Sequence, residues 1–276
     1  MASWQKIQAV TDVASGEQGR GKPRSDLEHL IMRRVGQAIG DHRLIEAGDR
    51  ILVAVSGGKD SFALLSLLEL HRRRFEHHFE LLPVFVDAGW DPTAGPRVKE
   101  RMAAQGLEVE VISRGIKQCV EDKLRPGSNP CALCARLRRG FLYDLAPERG
   151  CNKIALGHHL DDTLETLLLN LFFTGQLKAM PTSLRSDDGR NTVIRPLLYV
   201  EDALLKQYAI ECDFEPVSVA CPYVTGKTEM QREQVRRLIE GMADSHPRVR
   251  RSMLAALKHV RPSHLLDHAL SRDDSG

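Results

Sequence analysis

No stretch of the 276 residues approaches the ~20 consecutive apolar positions that a membrane-spanning helix needs. Met1 to Gly19 is polar and has no apolar h-region, so no secretory signal is expected. Charge imbalance is slight: a formal net of +2 does not by itself call for a polyanionic partner. Internal repeats and low-complexity segments are absent. So is the G-x-x-x-x-G-K-[ST] spacing of a Walker loop. There are only six cysteines, and one C-x-x-C pair among them. With no second pair and no histidines at finger spacing, a closed four-ligand zinc site has no obvious ligand set. Without a signal segment, the thiols are expected to stay reduced or to bind a metal rather than to form disulfides. A composition of 42% hydrophobic and 28% charged residues leaves a soluble globular chain, one large domain with small additions.

What is present centres on Ser56-Gly57-Gly58-Lys59-Asp60-Ser61. The unbroken run Ile51-Leu52-Val53-Ala54-Val55 precedes it and reads as a buried parallel strand. Phe62 to Leu70 follows, with no glycine or proline, and reads as a helix. A strand, a glycine turn and a helix start bring free backbone N–H groups and the positive dipole end to one point, which suits phosphate. Two glycines admit the anion without a Cβ in the way. Lys59 adds charge, Ser56 and Ser61 add hydroxyls, and Asp60 can hold Mg²⁺ against phosphate oxygens. The hexapeptide resembles the pyrophosphate loop of the ATP pyrophosphatases, which cut ATP between its α and β phosphates.

Taken in order, residues 1–24 read as a loose polar tail. Ser25-Asp26-Leu27-Glu28 has the form of a capping box, and Leu27, Leu30, Ile31, Val35, Ala38 and Ile39 make one helical stripe. Strands are expected near Leu81–Asp87, Leu107–Ile112, Asn152–Gly157 and Thr192–Pro196, with helices near Pro96–Gln105 and Asp161–Phe173. This alternation predicts an α/β fold, a doubly wound parallel sheet. Asp87 falls at a strand's carboxyl end, where such sheets bind ligands. The expected divisions are a nucleotide domain over 25–224, a basic helical extension over 225–267 and a polar tail over 268–276. Residues 227–261 hold nine Lys/Arg against four Asp/Glu. That excess makes Arg236, Arg237, Arg250 and Arg251 candidates for RNA phosphates, or else a solvated helix face.

Gly157-His158-His159-Leu160-Asp161-Asp162 again ends a strand and starts a helix. Two acids there serve as helix caps in any protein. At the carboxyl edge of the sheet, however, Asp162 or Asp161 can also share Mg²⁺ with Asp60. Cys131-Ala132-Leu133-Cys134 opens a further helix, whose dipole favours thiolate. Cys221 is a natural third ligand, while Cys119, Cys151 and Cys212 read as buried structural thiols.

Together these motifs carry a closer resemblance. Ser56–Ser61, Gly157–Asp162, the C-x-L-C-x-R-L-R-R-G pattern at Cys131–Gly140 and Val260-Arg261-Pro262-Ser263-His264-Leu265 resemble the tRNA 2-thiocytidine synthetase family (TtcA), over about residues 26–267. The resemblance implies an adenine-nucleotide alpha-hydrolase fold with helical additions at both ends. It also implies a [4Fe–4S] cluster on Cys131, Cys134 and Cys221, with one iron open to sulfide. ATP would lie on Ser56–Ser61, Asp87, Gly157 and His158, with Lys59, Asp60, Asp162 and Arg138 catalytic and Mg²⁺ on Asp60 and Asp162. Arg136 and Arg139 would join the tRNA contacts. The implied partners are tRNA and a cysteine desulfurase or other sulfur donor, in the cytoplasm, with a homodimer as the expected assembly. One departure stands out: Val224 occupies a position where the family often has a further cysteine. The rival readings are 2-thiouridine synthesis, a lysidine synthetase type of ligase, and an ATP- and RNA-binding sensor without turnover.

Overall fold

The computed structural model describes residues 25–74, 78–124, 130–217 and 227–266, with side chains omitted for 227–229. Cys221, Val224 and the two expected tails lie outside the described residues. The elements run α1 (Asp26–His42), β1 (Arg50–Val55), α2 (Lys59–Arg74), β2 (Glu80–Asp87), α3 (Ala94–Ala104), β3 (Glu110–Ser113), α4 (Ile116–Lys123) and α5 (Pro130–Glu148). They continue with β4 (Lys153–Ala155), α6 (Leu160–Phe173), β5 (Ser183–Arg185), β6 (Thr192–Ile194), α7 (Asp202–Glu211), α8 (Lys227–Ser245), α9 (Val249–Lys258) and a 3₁₀ turn at Pro262–His264.

The six strands lie in the order β3-β2-β1-β4-β6-β5. Every pairing is parallel except that of β5 with β6. The pleat of the strands explains the two layers of helices. Ile51, Val53 and Val55 point to a core shared with α1, α2, α3 and α7, while Leu52, with Val84, Val86 and Ile154, points to a core under α4 and α5. Both faces are therefore covered, which is why β1 is an unbroken apolar run rather than an alternating one.

Several boundaries differ from the sequence reading for physical reasons. Strand β3 starts at Glu110, because Leu107 N–H still donates to Met102 O (2.9 Å) and so closes α3. On α1, Ser25 Oγ accepts from Glu28 N–H (3.1 Å) as the capping box requires, but Glu28 and Met32 are buried where Leu27 and Leu30 are only half-buried. Strand β5 is exposed at all three residues and has no apolar pattern to find. Cys151 and Cys212 are buried, whereas Cys119 is only half-buried.

Candidate active site

The loop after β1 is held by its own side chains. Ser61 Oγ accepts from Ser56 N–H (3.0 Å), donates to Gly58 O (2.8 Å) and lies 3.1 Å from Ser56 Oγ. Gly57 has φ +87°, a conformation costly by ~1–2 kcal/mol for residues with a Cβ, and its carbonyl accepts from Val217 N–H (2.8 Å). Lys59 and Asp60 then open α2.

The second motif is pressed against the first. A Cβ on Gly157 would lie 3.2 Å from the carbonyl carbon and oxygen of Asp60 and from Ser61 N. A side chain there would press on the backbone at the start of α2, so glycine suits the close approach by which one crevice holds both motifs. Asp162 caps α6, its Oδ2 accepting from His159 N–H (3.0 Å).

The charges of the crevice form a connected set. Lys59 Nζ donates to Asp60 Oδ1 (2.6 Å) and to Asp202 Oδ1 (2.7 Å). Burial pulls the Lys59 pKa down, but the two carboxylates outweigh it, and the net direction is up. Burial likewise opposes the charged form of Asp202, yet Lys206 and Lys59 hold its pKa down at about 2. His159 Nε2 lies 3.6 Å from Asp202 Oδ1. Among the described residues, Asp60, His159 and Asp202 present donor atoms within 4.8 Å of one another, a set that fits a divalent cation. Asp202 escaped the sequence reading: it belongs to neither motif, and its only signal was an acid opening a helix. His158 is half-buried with Nδ1 unpartnered, and burial pushes its pKa down to about 4.

The cysteines open a neighbouring cavity of about 230 Å³. Cys131, Cys134 and Arg138 line it at i, i+3 and i+7 on α5, facing Phe85, Asp87 and Trp90. Because Val55 pairs with Phe85, the cavity adjoins the strand that feeds the loop. Cys131 is exposed and Cys134 half-buried, so both thiols can reach a group placed there. The donor set so far, two cysteine sulfurs beside a cationic guanidinium, fits an anionic iron–sulfur cluster. Arg136 and Arg139 are exposed on the same helix.

The four arginines proposed from the C-terminal charge divide into two kinds. Arg237 and Arg251 are exposed, near Glu233 (3.0 Å) and Glu201 (3.7 Å). Arg236, also exposed, pairs through Nε with Glu165 Oε1 (2.9 Å), a buried acid of α6, and the half-buried Arg250 pairs through Nε with Asp161 Oδ1 (2.7 Å). Under them Leu160 and Leu164 pack with Val235 and Ile239 in a small separate core. Neither Glu165 nor that core had been expected; a lone acid inside an apolar helix carries no pattern of its own.

Comparison with known proteins agrees with this geometry. A model of the PP-loop domain matches residues 27–221. The tRNA-cytidine(32) 2-sulfurtransferase of Geobacter metallireducens is 46% identical over 242 residues, 88% of this chain and 94% of that protein. The enzyme of the same description from Sorangium cellulosum is 47% identical over 244 residues, 88% of this chain and 86% of that protein. Among solved structures, the U34-tRNA thiolase NcsA from Methanococcus maripaludis, with its [4Fe-4S] cluster, has the same fold. Its TM-score is 0.67 at 21% identity, over 86% of this chain and 80% of that one.

Proposed function

Because the chain belongs to the PP-loop family of tRNA-cytidine(32) 2-sulfurtransferases, we propose that it uses ATP to replace the C2 oxygen of cytidine 32 in tRNA with sulfur, giving 2-thiocytidine. The observation that carries the reading is the contact of Gly157 with Asp60 and Ser61, which makes one crevice of two motifs beside a cavity lined by two cysteines.

A pyrimidine carbonyl oxygen is a poor leaving group, so it is first made a good one. The C2 oxygen attacks the α phosphorus of ATP, the bond to the β phosphate breaks, and pyrophosphate departs into the loop. Sulfide then adds at C2, and AMP leaves with the original oxygen. Lys59 shifts from its two carboxylates to the phosphate oxygens, and the loop N–H groups stabilise the charge that develops. Asp87, Gly157 and His158 bound the adenosine, His158 staying neutral at pH 7. Asp60 would hold Mg²⁺ with His159 and Asp202 as the neighbouring donors, and Asp162, whose Oδ2 accepts from His159 N–H, would be a further ligand. Cys131 and Cys134, together with Cys221 outside the described residues, would hold a [4Fe–4S] cluster, which would supply an iron to carry the sulfide. Arg138 faces that cavity and orients the phosphoryl or sulfur-bearing group within it.

The partners under this reading are tRNA, with its anticodon loop splayed to free the base, and a cysteine desulfurase or other sulfur donor. Work in the cytoplasm and a homodimeric assembly complete the proposal. No described helix is long and apolar enough to cross a membrane.

Mass spectrometry of tRNA nucleosides from a strain lacking the chain is the test. Loss of 2-thiocytidine, restored by the wild-type chain and not by Lys59→Ala, is expected. Loss of a 2-thiouridine instead would overturn the substrate.

A further inference from the structure

We propose that Arg250 is a positioning residue through which the C-terminal helices set the carboxylates of the nucleotide crevice. The inference rests on the reading of Ser56–Ser61 as an ATP site. Four links join α9 to that loop. Arg250 Nε donates to Asp161 Oδ1 (2.7 Å), and the other oxygen of the same carboxylate, Oδ2, accepts from Asp202 N–H (2.8 Å). Asp202 Oδ1 then accepts from Lys59 Nζ (2.7 Å), and Lys59 Nζ reaches Asp60 Oδ1 (2.6 Å).

Each link has a physical reason. Asp202 opens α7, so its N–H has no partner within the helix and must find one outside. Asp161 supplies it and thereby fixes where α7 begins, which in turn fixes the Asp202 carboxylate. Asp161 is itself held by Arg250, since a rotation that broke the ion pair would also withdraw Oδ2 from α7. The pair is mostly shielded, with side-chain exposures of 23% and 13%, so it is screened less than a surface pair. The next residue, Arg251, is 67% exposed. A polyanion landing on α9 therefore meets Arg251, while the adjacent Arg250 reports any shift of the helix to Asp161. In this way tRNA docking on the extension sets the geometry around Lys59 and the cation, and ATP is cleaved when tRNA is in place.

The test uses the full chain and tRNA-dependent pyrophosphate release. Arg250→Gln is expected to lower kcat about 10-fold, with KM for tRNA changed less than about threefold. Arg250→Lys should recover most of the loss. Asp161→Asn should match Arg250→Gln, and the double variant should be no worse than either, because both act on one link. Lys258→Gln, which loosens the far end of α9 from Asp41 (3.0 Å), should lower thermal stability without the fall in kcat. A higher KM for tRNA at unchanged kcat would make Arg250 a phosphate contact and overturn the proposal; multiplied losses in the double variant would also do so. If the wild-type chain releases no pyrophosphate with tRNA, the adenylation reading fails instead. Affinity for Mn²⁺–ATP without tRNA then decides the coupling. Arg250→Gln should weaken it about fivefold and Arg250→Lys restore it, and equal affinities would overturn the proposal.

Discussion

The two ends of the active crevice are built differently. At the nucleotide end, Ser61 binds three loop atoms, Gly157 touches backbone, and Lys59 is clasped between two acids. At the cysteine end, Cys131 is exposed and Cys134 half-buried at the mouth of a cavity. The difference follows from the chemistry. Phosphoryl transfer depends on donors fixed in advance around a charge that appears briefly. Under the proposed reading the cysteines would hold a cluster that brings its own rigid geometry, so its ligands would need reach more than prior order.

If the two ends are separable, the largest effect comes from removing a cysteine. Cys134→Ala should lose most of the iron and nearly all 2-thiocytidine, yet still release pyrophosphate when given ATP and tRNA. Iron analysis and a pyrophosphate assay on the same sample would check it, and loss of both activities would show the ends to be one unit. The converse variant, Lys59→Ala, should keep its iron and lower pyrophosphate release by ~10²-fold or more. Gly157→Ala sharpens the comparison through packing alone. Its methyl would meet the Asp60 carbonyl, so a loss of ~10-fold in pyrophosphate release is expected, again with full iron.

The smallest expected effect is one of pH. Burial lowers the His158 pKa from 6.5 to about 4, so the folded chain binds fewer protons than the unfolded chain between those values. Its contribution to stability is fully present above pH 6.5 and is lost as the pH falls toward 4. Urea midpoints at pH 7 and pH 5 should differ less for His158→Gln than for the wild-type chain.

The parts legible in the sequence were those whose cause is local. The apolar run of β1, the glycines and the acids of the two motifs needed no knowledge of distant neighbours. Asp202 and Glu165 were not legible, since each is functional or structural only because α7 and α8 pack where they do. The same holds for β5, which exists through its pairing with β6 and has no buried side chain. The basic extension carries two helices, but charge counts cannot tell Arg251 at the surface from Arg250 against Asp161.

The small core beneath the extension bears on how such a chain can be taken apart. Leu160 and Leu164 of α6 are covered by Val235 and Ile239 of α8, and Glu165 beside them is neutralised by Arg236. A chain ending before α8 would bare both leucines and leave a carboxylate without its guanidinium partner, one turn from the Gly157–Asp162 segment. The extension is thus no module to be exchanged at will. Any graft would have to bring its own apolar pair and its own cation in register with α6.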